Sequence, residues 1–254
     1  MRRGRPEAIF ATRAGAPRYV LGMSSSRARL TGLLAAVLAI VLTAGCSGGG
    51  GSDKYPAGGP LLQQAANVLR GVTSLSFTLR TSGDPNVNVK SVDAKLLKSG
   101  NSQGSVQVSE LGMPIQLDFV VIGKTVHFKG LTGGWQKEPL SKVAGIYDPS
   151  AILDPDRGLV QLLLTAKNAE TKGKDKVAGQ ECYRVHATLA RAALSRLVPG
   201  MNADAPADIW VSTADKHVLK AEVEVPAKSG GKPGKVTITF ADFGKPFPIS
   251  APAK

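Results

Sequence analysis

Gly100-Asn101-Ser102-Gln103-Gly104 has the G-x-S-x-G spacing that, on a strained turn between a strand and a helix, presents a serine for acyl transfer. The surroundings oppose that chemistry. Ser105-Val106-Gln107-Val108 returns at once to apolar/polar alternation, so a strand follows rather than a helix and the pentapeptide reads as a hairpin turn. A serine nucleophile also needs a base, and His127, His186 and His217 stand singly in three separate segments. The same scatter leaves no Cys/His cluster with metal-ligand spacing. No glycine loop of the phosphate-cradling kind opens a helix, because the run Gly48 to Gly51 lies in a linker. The expectation is a protein with no catalytic residue, metal or cofactor.

A second kind of chemistry centres on Cys46. Arg27 and Arg29 precede an apolar run, Leu33 to Leu42, which ends in the small-residue box Thr43-Ala44-Gly45-Cys46. The run is ten residues long, against the roughly 20 that a spanning helix needs, so it reads as a processed export signal. Residues 1–45 are expected to be removed and Cys46 to be lipidated, with palmitate among the acyl chains, on the outer face of the cell membrane. An ordinary secretory cleavage beside a chance cysteine is the alternative. Met23 is an alternative start, since Met1 to Gly22 only lengthens the basic region. Cys182 is then left unpaired, and the fold relies on its core rather than on disulfides.

The full chain carries a net charge of +13, but its first 45 residues hold seven Arg and one Glu. The remainder has 25 Lys and Arg against 18 Asp and Glu, a net of +7 over 209 residues, enough for one domain with a substantial core. Lysines such as Lys172, Lys174 and Lys176 alternate as on a strand and read as a solvated face, with anionic headgroups as the alternative contact. An exported, anchored chain of this kind has no nucleic acid to meet.

Ser47 to Gly59 has six Gly and one Pro and no apolar periodicity. With Cys46 it forms a tether, residues 46–59, of typical reach about 20 Å, which keeps the folded body, residues 60–254, close to the membrane. Pro60 opens a helix with Leu61, Ala65, Val68 and Val72 on one stripe. Period-two alternation then dominates, placing Leu75, Phe77 and Leu79 on one face of a strand, and Ile115, Leu117, Phe119 and Val121 on another. Tyr183 with Val185, Ile209 with Val211, Leu219 with Val223, and Val236 with Ile238 and Phe240 continue the apolar face. Gly-containing breaks at Gly123, Gly133-Gly134 and Gly179 suit hairpins. Helical stretches from Asp156 to Ala166, with Leu159 and Leu163, and from Ala190 to Val198 supply the cover that this face needs. The pattern is α+β: an antiparallel sheet, apolar on one side and wet on the other, under helices. A solid core and a hollow one satisfy this alternation equally.

Ile146-Tyr147-Asp148-Pro149, then Leu153-Asp154-Pro155-Asp156-Arg157-Gly158-Leu159 with its leucine-rich helix, resembles the LppX/LprA/LprF/LprG family of mycobacterial lipoproteins. So does Pro206-Ala207-Asp208-Ile209-Trp210-Val211, and the likeness, nearest to the LprG members, runs over nearly all of the folded part. Phe243-Gly244 departs from the Trp-Gly frequent in those relatives, and Lys172 to Lys176 is more basic. The resemblance implies a curved half-barrel sheet like that of the LolA and LolB carriers, with helices on its concave side enclosing a cavity for acyl chains. The apolar side chains named above would line that cavity. It further implies carriage of di- or triacylated lipids or glycolipids between membrane and outer envelope, in some members beside a major-facilitator efflux pump. The competing expectations are an envelope assembly factor or sensor with a filled core, and a hydrolase using Ser102.

Overall fold

The computed structural model describes residues 55–83, 85, 87–110, 113–130, 132–143, 151–197, 201–227 and 233–253. Cys46 with its signal, the tether up to residue 54, and Ile146-Tyr147-Asp148-Pro149 lie outside the described residues. In chain order the elements are α1 (Gly58–Arg70), β1 (Ser74–Ser82), β2 (Val89–Leu97), β3 (Ser102–Glu110), β4 (Met113–Ile122), β5 (Thr125–Lys129) and β6 (Gln136–Pro139). There follow α2 (Leu140–Val143), α3 (Leu159–Leu164), β7 (Lys167–Val177), β8 (Gln180–Leu189), α4 (Arg191–Leu197), β9 (Ala205–Ser212), β10 (Val218–Val225) and β11 (Gly234–Ala241).

All eleven strands join one open antiparallel sheet in the order β6-β5-β4-β3-β2-β1-β11-β10-β9-β8-β7, curved so that its apolar face is concave. Most neighbours are hairpins, as the short glycine breaks predict: Gly123 (φ 57) and Gly179 (φ 82) sit in the β4–β5 and β7–β8 turns in the left-handed region that glycine enters without steric cost. β8 and β9 are joined instead through α4, and at the central seam β1 and β11 pair across nearly the whole domain, Phe77 opposite Phe240 and Leu79 opposite Ile238.

Register sorts the faces. On the concave side Phe77 stands beside Ala94, Ala94 beside Gly104, Gly104 beside Phe119, and Phe119 beside Phe128, one row across five strands. Gly104 is obligatory there, because a Cβ would strike the Asp93 carbonyl oxygen and stand 2.8 Å from the Ala94 Cα, neither of which can yield without parting β2 from β3. On the convex side charges pair along and diagonally across strands: Arg80 with Asp93 at 2.8 Å, and Glu222 with Lys220 at 2.7 Å and Lys235 at 3.0 Å. The edge strand β7 carries Lys172 and Lys174, which reach Glu170 at 2.5 Å and Glu181 at 3.4 Å. Lysines on an edge also discourage pairing with another sheet.

Helix α1 starts at Gly58, two residues before the expected Pro60, and buries Leu61, Leu62, Ala65, Ala66 and Leu69 against α3, β7 and β9. The stretch from Asp156 to Ala166 is helical only over α3, because residues 154–157 form a turn instead. The convex face is not wholly polar: Cys182, Trp210 and Leu219 form a small buried cluster there, bordered by Val177 and Phe243.

Candidate functional site

The Leu153-to-Leu159 motif is a device for placing α3. Asp154 accepts hydrogen bonds from the backbone N–H groups of Asp156 (2.9 Å) and Arg157 (3.1 Å) and from the Arg157 side-chain Nε (2.8 Å), while its own carbonyl receives the Gly158 N–H. Partial burial works against the charge of Asp154, but these bonds outweigh it and hold the carboxyl below its ordinary range. Gly158 packs so tightly that a Cβ would stand 2.4 Å from the Ile152 carbonyl oxygen and 2.8 Å from that of Asp154. The turn thus stands α3 on the concave face and delivers Leu159, Leu162 and Leu163 there; the motif is structural, and what it positions is apolar.

Between this cover and the sheet lies an apolar cavity. Its walls are Ile152, Leu159 and Leu162 on the α3 side, Leu194, Leu197 and Met201 from α4 and the segment after it, and β1, β10 and β11 below. About 740 Å³ is unfilled by atoms, counted out to the mouth, though little of it is wide enough to hold water. A second apolar space of about 400 Å³ adjoins it beneath α1 and α3, and Leu159, Leu162, Ala221 and Phe240 border both. Every side chain lining either space is apolar. Such a site can select by hydrophobic transfer and shape but offers no group for proton or acyl transfer.

Of the side chains named from sequence, Phe77, Leu79, Leu159, Val223, Val236, Ile238 and Phe240 border the larger space, and Leu163 and Ile209 the smaller. Leu75, Val121, Val185 and Val211 are buried in the packed core and touch neither. Phe119 packs in that core under β4, and Tyr183 lies half-buried beside it, facing Tyr55 edge-on at 6.5 Å. Ile115 is 38 % exposed and Leu117 half-buried, because no helix covers the outer part of β4 among the described residues. Leu219 departs for a different reason: a bulge between Val218 and Lys220 shifts the β9–β10 register and turns Leu219 to the convex cluster with Trp210. Val218 borders the smaller space instead.

Sequence reasoning did not assign Ile152, Met201, Ala221, Val225, Leu189 or Phe243 to the cavity. Ala221 and Val225 lie on a recognised alternating face, whereas Ile152 and Met201 come from irregular segments where no period marks an inward side chain. Phe243 borders the smaller space and stacks on His217, ring centroids 4.1 Å apart.

Ser102 is not an exposed turn residue. It opens β3 on the concave side, 0 % exposed, between Leu96 and Val121, and its hydroxyl has no hydrogen-bond partner. No substrate carbonyl reaches it there. His186 Nδ1 lies 2.9 Å from Asp208 and His217 Nδ1 3.0 Å from Asp215, each a local contact on its own part of the sheet. The described residues hold no His/Cys/Asp/Glu group fit for a metal. Burial raises the Cys182 thiol above its ordinary pKa, against the hydrogen bond from the Val177 backbone, as in an inert, structural cysteine.

An open antiparallel sheet that holds an apolar cleft under its helices, and seals its one motif serine in the core, defines a binding fold. The family model for the LppX/LprA/LprF/LprG lipoproteins matches residues 57–249, and the chain belongs to that family. The lipoarabinomannan carrier protein LprG of Mycolicibacterium hassiacum is 30 % identical over 234 residues, covering 89 % of this chain and 98 % of its own. That of Mycobacterium leprae is 28 % identical over 232 residues, covering 88 % and 95 %. Among solved structures, LprF of Mycobacterium bovis superposes with a TM-score of 0.69 at 24 % identity, over 78 % of this chain and 97 % of its own. LppX of Mycobacterium tuberculosis does so with a TM-score of 0.57 at 19 % identity, over 76 % and 97 %.

Proposed function

We propose that this chain is a lipid-anchored envelope protein that takes acylated lipids or glycolipids into the cavity beneath α3 and α4 and carries them between the membrane and the outer envelope. The observation that carries the reading is the all-apolar lining of that cavity. Each methylene transferred into it contributes about 0.8 kcal/mol, so long acyl chains bind without any polar anchor and the headgroup stays at the mouth. The carrier names of the LprG relatives support a glycolipid cargo. Anchorage rests on Cys46, since no helix among the described residues is long and apolar enough to cross a membrane. A major-facilitator efflux pump as transport partner rests on the family resemblance alone.

The narrowness of the cavity favours a second reading, an assembly or sensor lipoprotein whose core stays filled. In the carrier reading the leucine-lined walls part as chains enter, a change whose cost the incoming methylenes offset. Native mass spectrometry of the full chain, mildly extracted from its own membranes, separates the two. Co-purified acylated lipid is the carrier result; a lipid-free chain bound to a stable protein partner is the other. In the same preparation Cys46→Ala is expected to be released from the membrane or retained as precursor, and normal retention of that variant would remove the anchor from the proposal.

A further inference from the structure

Antiparallel order places the turns β1–β2, β3–β4, β5–β6 and β10–β11 at one end of the sheet, the end that also carries α4 after β8. At this end the apolar interior comes to the surface. Met113 is 64 % exposed and Ile115 38 %, and Met113 to Gln116 are uncovered on both sides of β4. Trp135, before β6, is the third large exposed apolar side chain among the described residues, but it lies elsewhere, over a shallow depression of the convex face bordered by Ser76, Thr78, Lys95 and Gln103.

The β4 end is joined to the cavity by register. Leu79 and Ile238 line the cavity opposite each other; Leu79 faces Val92, Val92 faces Val106, and Val106 faces Leu117. One pleat further out, Val89 faces Val108 and Val108 faces Ile115. An unbroken apolar strip therefore runs along the concave side from the cavity wall to the exposed end of β4.

From this continuity we propose that the β4 end of the sheet is the surface that touches the bilayer: Met113, Pro114 and Ile115 enter the acyl region, and chains pass along the strip into the cavity. The proposal rests on the carrier reading. The exposed area is one strand end, too small for a stable protein interface, which takes roughly 800 Å² per partner, but suited to a shallow wedge in lipid. In a lipoprotein family the bilayer is also the surface nearest to hand.

The test uses the full acylated chain in phosphatidylcholine vesicles that contain a minor share of phosphatidylglycerol and a phosphatidylcholine brominated along its chains. Bromine is expected to quench an indole introduced by Met113→Trp at this exposed strand end, above the wild-type background, since Trp135 lies over the convex face and Trp210 is 6 % exposed on that face. Met113→Asp with Ile115→Asp should slow lipid removal from vesicles by roughly tenfold or more, while loading from detergent micelles stays at the wild-type level. Both positions are already solvent-exposed, so the core is untouched. Unchanged removal from vesicles by the double variant overturns the proposal. So does absence of added quenching in Met113→Trp, the result expected if a protein partner holds this end, and that measurement stands even if the double variant misfolds. Failure of the wild type to load from micelles overturns the carrier reading instead, with the quenching still reporting on the surface.

Discussion

Phe77 and Phe240 stand directly opposite each other on β1 and β11, and both line the same cavity. The wall they form exists only because the first and last strands of the domain meet at the centre of the sheet. The residues behind this seam, on β10 and β11, form the floor of the proposed lipid space, whereas Leu96, Ser102 and Val121, on β2 to β4, pack a solid core. The distinction decides where a bulky side chain displaces ligand and where it breaks the fold.

Ala221 borders both apolar spaces. Ala221→Trp is expected to fill them, removing co-purified lipid in native mass spectrometry while changing unfolding stability by less than about 1 kcal/mol. Val121, 2 % exposed and opposite Ser102, borders neither space. Val121→Trp is expected to overpack the core at a cost of about 1–3 kcal/mol. Wild-type lipid content in Ala221→Trp would place the ligand elsewhere.

Gly104→Ala adds one methyl group and no polarity, yet its Cβ meets rigid backbone on β2. Urea unfolding is expected to show a loss of about 2 kcal/mol or more. A near-neutral result would mean that β2 and β3 separate more readily than their pairing implies.

Ser102→Ala tests the serine in its buried setting. Its hydroxyl is desolvated without a partner, so removing it is expected to leave stability unchanged or raise it by up to about 1 kcal/mol. Lipid content and any background ester hydrolysis should stay as in the wild type. Loss of a hydrolytic activity in this variant would reinstate the nucleophile.

The β9–β10 turn supplies a pH signature. Burial disfavours the Asp215 carboxylate, but hydrogen bonds from His217 and Ser212 prevail and bring its pKa down from 3.8 to about 2. A depressed carboxyl stabilises the fold above its unfolded pKa and loses that effect as pH falls through the folded one. The stability gap between wild type and Asp215→Asn should therefore be complete above about pH 5, shrink between about pH 4 and pH 2, and vanish below. With the carboxyl half exposed, the full gap is no more than about 1 kcal/mol. A gap that persists unchanged at pH 2 would assign the stabilisation to something other than the charge.

Alternation along β1 and β11, together with the glycines of the β4–β5 and β7–β8 turns, was enough to read from the chain a one-sided antiparallel sheet under leucine-rich helices. These signals are local, since strand pleat and helix pitch impose their periods on any segment that buries one face. The motif from Leu153 to Leu159 was equally legible as a family mark, and its Asp154 turn accounts for it. Tertiary structure alone decided which apolar faces border space and which are filled. Period two reports that Val121 and Ile238 each point inward, but not that Leu96, Ser102 and Val126 crowd the first while the second faces a cleft. Leu219 shows the limit most sharply: one bulged residue in β10 reverses its face, and a bulge depends on how two strands pair rather than on either strand's own residues. The cavity itself arises where β1 meets β11 beneath α3 and α4, a meeting of segments far apart in the chain that no local period records.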